Sequence, residues 1–181
     1  MKNQLIATLV AAILLFVWQF LSWAALNIHG DEYQYTEKQD TILQMLNREL
    51  QPGSYMMPQP APGSTPEQQK AFMESSEGKP WAMVSYHSSF HGSMAMNMIR
   101  GFAVDLVAAY LLIWLLLKIT NLDFKTALLS SLAVGAIAYL TIPYLNSIWF
   151  ENNTLAYLID WVGQWGLVGA WLGWWLPKRQ N

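Results

Sequence analysis

The sequence predicts an all-α integral membrane protein, a four-helix transmembrane bundle with a small extracytoplasmic insertion between its first two helices. Three observations carry that expectation. Of 181 residues, 54% are apolar and only 12% charged, about half the charged fraction of a soluble domain. Four apolar stretches are each long enough to cross a hydrocarbon core of about 30 Å. Lys and Arg near their ends gather on one side of a four-span arrangement.

The first stretch, Leu5 to Leu26, has 22 residues and no charge. A cleaved signal peptide is the competing reading, because Lys2 precedes the run and Ser22-Trp23-Ala24 resembles a cleavage site. The run exceeds an h-region of about 7–15 residues, and Trp23 breaks the small-residue pattern, so an uncleaved anchor is expected. The other spans are Asn97 to Leu117, Thr126 to Ile148 and Leu155 to Leu176, filling the segment Asn97–Leu176 ahead of a tail, Pro177–Asn181. Short polar junctions make these three helices sequential antiparallel neighbours. Lys2, Lys118, Lys125, Lys178 and Arg179 fall on one side, which assigns both termini to the cytoplasm and the protein to the inner membrane.

Asn27 to Met96 is then the extracytoplasmic loop domain, with eight acidic residues against Lys38, Arg48, Lys70 and Lys79. Thr36 and Gln39 suggest a capping box, and Ile42, Leu43, Leu46 and Leu50 recur at helical spacing, predicting an amphipathic helix over Glu37 to Leu50. Pro52-Gly53 ends it, and Pro58 to Pro66 reads as an extended connection. Thr65-Pro66-Glu67-Gln68 predicts a second capped helix to about Ser76. Trp81 to Tyr86 is β-favouring and pairs best with Ser54 to Met57. With few aliphatic residues, this loop has a small core and should pack on the membrane face or on a partner. Asn152-Asn153-Thr154 matches a glycosylation acceptor, but a position so tight against the membrane makes it a chance match.

Composition excludes several functions. The charge of −2 removes the basic footprint of nucleic-acid binding, and the absence of Cys removes disulfides, thiolate nucleophiles and Cys-type metal sites. No phosphate loop, nucleophile elbow or HExxH is present, and the spans show no inverted repeat of a transporter.

Three constellations remain. Every Met except Met1, and all three His, fall between His29 and Met98. If the stretch is helical, His87 and His91 share a face and Met94 follows about a turn later, a soft ligand set for copper or a haem. The alternative is Met filling gaps in a small domain and His hydrogen-bonding at the interface. The second constellation is a polar network in the outer half of the spans, Gln19, Arg100, Asp105 and Asp160. A charged residue at mid-membrane costs roughly 2.5–3.5 kcal/mol. Arg100 and Asp105 point about 140° apart on one helix, so Arg100 is expected to reach Asp160 or to snorkel to the headgroups. The third is a ridge of Gly163, Gly166, Gly169 and Gly173 for close helix packing, beside Trp161, Trp165, Trp171, Trp174 and Trp175. Pro143 should kink or end the third span.

The function these features favour is an accessory or interaction subunit of a larger membrane complex, with lipid and a membrane-protein partner or second copy as its surroundings. A copper- or haem-binding protein using the His/Met cluster is the alternative, and a membrane-embedded enzyme or small-solute carrier comes third.

Overall fold

The computed structural model describes residues 2–179. In chain order its elements are α1 (Lys2–Phe20), α2 (Gln39–Glu49), β1 (Gly53–Met57), α3 (Pro66–Ser76), β2 (Ala82–Tyr86), α4 (Met94–Leu116), α5 (Phe124–Tyr139), α6 (Leu145–Phe150) and α7 (Leu155–Trp175). The chain forms two compact units, residues 35–92 and the rest.

The larger unit is all helical. Its helix α1 packs on α4 and α7, and α5 lies along α7. Small residues make the contacts of α1, where Ala7, Ala11 and Ala12 are fully buried beside Leu15, against Ala109, Leu112, Ile113 and Leu116 of α4 and Val168 and Leu172 of α7. Closely approaching backbones of this kind gain dispersion contacts where a lipid environment offers no hydrophobic drive between helices. The polar starts of α4 and α5 are capped: Ser93 accepts from the Met96 amide and Asp123 from the Thr126 amide, at 3.3 and 2.7 Å.

Among the described residues three helical stretches are long and apolar enough to cross a membrane, Lys2–Ala25, Met94–Leu116 and Phe124–Phe150. The expected fourth, α7, has 21 residues and so the length. Its Trp and Gly content, with Asp160 and Gln164, holds its mean hydropathy lower. The third stretch is not one regular helix. A π-helical turn, Leu140–Tyr144, contains Pro143 and joins α5 to α6, because proline has no N–H for the helical ladder and its ring crowds the preceding turn.

The smaller unit is built from local signals. Thr65 caps α3 in a full capping box with Gln68, and Pro66 opens the helix. Strands β1 and β2 pair antiparallel with Tyr55 opposite Val84. Tyr86 is buried and its hydroxyl donates to Asn47 Oδ1 of α2 at 2.6 Å. The capping box expected at Thr36 does not form, since α2 begins at Gln39 behind an N-cap, Lys38, that makes no side-chain cap bond. Thr36 Oγ1 instead accepts from the Lys38 amide.

Candidate functional site

The end of α1 shapes the site. Its last turn, Leu21–Ala25, is π-helical, and the Leu26 amide reaches back five residues to the Leu21 carbonyl. Asn27 then takes a positive φ of 51° and the Ile28 amide bonds the Ser22 carbonyl, folding the chain back so that His29 lies beneath the helix end. Such π-turns are often found where side chains are re-aimed at a functional site.

Asp160, near the start of α7, receives three donors. Trp18 Nε1 and Ser22 Oγ both donate to its Oδ1, at 2.9 and 2.6 Å, and His29 Nε2 faces Oδ2 at 2.8 Å. The other ring nitrogen of His29, Nδ1, bonds Glu32 Oε1. Glu32 Oε2 accepts from the hydroxyl of Tyr157, one turn before Asp160. Trp23 stacks flat on the imidazole with centroids 4.0 Å apart, and Tyr157 closes its edge.

An ionised carboxylate only accepts hydrogen bonds, so between two ionised carboxylates the imidazole donates from both nitrogens as an imidazolium. His29 is 4% exposed, and burial opposes that charge. The hydrogen bonds to Asp160 and Glu32 outweigh it and hold the His29 pKa above its ordinary 6.5. The stability this group contributes is therefore complete below 6.5 and is lost as pH rises through the raised folded value. Thermal unfolding of the purified protein should show melting temperature declining as pH rises from 6.5, and His29→Gln should flatten that decline. Parallel pH profiles in the two proteins would mean that the ring is neutral in the folded state.

A cavity of about 830 Å³ lies against the cluster, with Asp160 and Glu32 among its lining residues. Its far wall comes from α5, α6 and α7. Tyr139 stacks on Trp161 with centroids 5.7 Å apart and planes 13° from parallel, and Trp161 is fixed by donating to the Leu132 carbonyl. Gly135 is required here, because a Cβ at that position would overlap the Trp161 and Trp165 rings.

The residues expected from the sequence are distributed as follows. Gln19 Nε2 donates to Asp105 Oδ1 at 2.9 Å across α1 and α4, while Asp105 Oδ2 is buried without a partner among the described residues. Arg100 is exposed on α4 and makes no ion pair or hydrogen bond among the described residues. The pairing of Arg100 with Asp160 is therefore absent, and Trp18, Ser22 and His29 occupy the carboxylate instead. The glycine ridge of α7 meets two elements: a Cβ at Gly163 would overlap the Trp18 ring, and at Gly169 and Gly173 it would press on α5.

Residues 87–93 are not helical, so His87 and His91 do not share a helix face. His87 bonds the hydroxyl of Ser85 and His91 that of Ser89. Both belong to the smaller unit, whereas Met94 opens α4 in the larger. Serine capping is the physical reason: Ser93 starts α4 and ends any helix arriving from the His side. No group of three or more His, Asp or Glu among the described residues is placed to hold a metal ion.

Sequence reasoning singled out Asp160 but not Trp18, Ser22, Glu32 or Tyr157, and placed His29 in the loop. The available signal was a pair of polar features at one end of the bundle, Ser22 to His29 around the end of the first apolar stretch and Asp160 near the start of α7. No protein-family model, curated protein or solved structure matches this chain, so the chemistry of the site rests on its own geometry.

Proposed function

We propose that the chain is a four-span protein of the inner membrane, with both termini cytoplasmic, that binds a small ligand at the outer end of its bundle. The observation that carries this reading is the cavity of about 830 Å³ resting on the Asp160–His29–Glu32 cluster. Its volume is that of a small-molecule site, and it combines aromatic walls with a few convergent polar groups. The three apolar stretches support membrane insertion, and α7 joins them as a fourth span through its length and its packing on α5 and α1. Lys118 and Lys125 then share a side with both termini.

Two measurements test this. Single Cys residues at Ser64 and Asn121 of the Cys-free chain should react with an impermeant maleimide in intact cells only at 64; labelling at 121 overturns the topology. A small-solute screen by thermal shift should find ligands that raise the melting temperature and lose that effect in Ala138→Phe, which projects a ring from a lining position of the cavity.

An accessory role in a larger complex is the second reading. It is favoured by the smaller unit, where α2 and α3 bury no residue and Leu43, Met45 and Met73 are at least half exposed. A stoichiometric partner co-purifying in mild detergent would favour it over a self-contained binder.

A further inference from the structure

We propose that the ligand of this cavity is an organic monocation, a quaternary or protonated amine carrying an apolar or aromatic body; the inference rests on the ligand-binding reading above. Two independent features of the cavity select that class. The first is the sign of its charge. Asp31, Glu32, Glu151 and Asp160 line it, and no Lys or Arg does. The imidazolium of His29 neutralises only one of the two carboxylates it bridges, so the cluster itself keeps a net negative charge. Asp31 and Glu151 are exposed and stand outside the cluster, and neither side chain is engaged by another described residue.

The second feature is the wall. Tyr139 and Trp161 stack on each other, and both line the cavity together with Trp165. Aromatic faces are the negative pole of the ring quadrupole and attract cations, most strongly when water is excluded. An anion would be repelled by both features. A neutral ligand could hydrogen-bond the carboxylates but would gain neither the charge–charge nor the cation–π attraction. A bare metal ion would find no converging set of three ligands among the described residues, because Asp160 already takes three hydrogen bonds and Glu32 two.

The test uses the full chain in detergent with three probes of similar size: benzyltrimethylammonium, whose charge is independent of pH, neutral benzyl alcohol and anionic phenylacetate. Tryptophan fluorescence and melting temperature report occupancy, since Trp161 and Trp165 line the site. The cation should bind saturably and about tenfold or more tighter than the alcohol, with phenylacetate weakest. Asp31→Asn with Glu151→Gln should weaken the cation about fivefold, as should raised salt, and leave the alcohol unchanged. Ala138→Phe, or Ile142→Trp if that protein does not fold, should abolish cation binding. Equal binding of cation and alcohol, or tighter phenylacetate, overturns the ligand class while leaving a binding cavity. Cation binding unchanged in both Ala138→Phe and Ile142→Trp overturns the proposed location. Saturation by no probe, with no hit in the solute screen, overturns this inference and the binding function together.

Discussion

Asp160→Ala is expected to be the most damaging substitution in the bundle, costing about 3 kcal/mol or more of stability in detergent. The carboxylate satisfies the Trp18 indole, the Ser22 hydroxyl and the His29 ring at once. Its loss strands two neutral donors at about 1–3 kcal/mol each if they stay buried, and it leaves the His29 imidazolium with Glu32 alone. Deleting one partner of a buried charged pair typically costs about 3–5 kcal/mol, and here the ring is 4% exposed. Asp160→Asn should cost less. Its carbonyl oxygen still accepts from Trp18 and Ser22, but its amide would face the Nε2 proton of His29, donor against donor. Adding His29→Gln to Asp160→Asn should therefore recover part of the loss, a coupling that a double-mutant cycle measures. An unchanged melting temperature for Asp160→Ala would show that the cluster does not hold α1 to α7.

The glycine ridge of α7 should give the second large effect, with opposite signs at two positions seven residues apart. At Gly173 an added Cβ would lie 2.8 Å from the Phe124 carbonyl oxygen and 3.1 Å from its Cα. These are backbone atoms that no rotamer change can move, so Gly173→Ala must push α5 away from α7. Overpacking of this kind costs about 1–3 kcal/mol, and Gly173→Val should cost more. At Gly166 the nearest atom to a new Cβ is Leu132 Cδ2 at 3.9 Å, ordinary contact. Gly166→Ala should thus be neutral or stabilising by up to about 1 kcal/mol, the helix propensity gained over glycine. Thermal unfolding of the two variants decides it, and equal destabilisation would mean that the ridge acts through backbone flexibility and not through close approach. Gly163 links this ridge to the site, since the side chain filling its notch is Trp18, a donor to Asp160.

Local chemistry determined much of this protein from sequence alone. The apolar runs place α1, α4 and α5 because length and hydropathy are properties of a segment by itself. Thr65-Pro66-Glu67-Gln68 places the start of α3 because its cap closes within four residues. The pairing of Ser54–Met57 with Trp81–Tyr86 follows from β-favouring residues between strong breaks. Gln19 and Asp105 were recognisable as polar groups needing partners, and so was Asp160.

Which partner each would take was decided by tertiary structure. A hydrogen bond between helices depends on their relative rotation and axial offset to within about an ångström, and neither is encoded in the periodicity of one helix. The π-turn at Leu21–Ala25 is the clearest instance. One additional residue in that turn and a positive φ at Asn27 bring His29 back onto Asp160, 131 positions away in the chain. Arg100 was the natural electrostatic partner by charge, yet Asp160 is already filled by Trp18, Ser22 and His29. The same reason explains His87 and His91, whose spacing has meaning only on a helix that Ser93 begins too late to include. Sequence thus determined which groups are too polar to be left alone in a bundle, and the packing of α1 on α7 decided that one of them, Asp160, would meet Trp18, Ser22 and His29 beside a cavity.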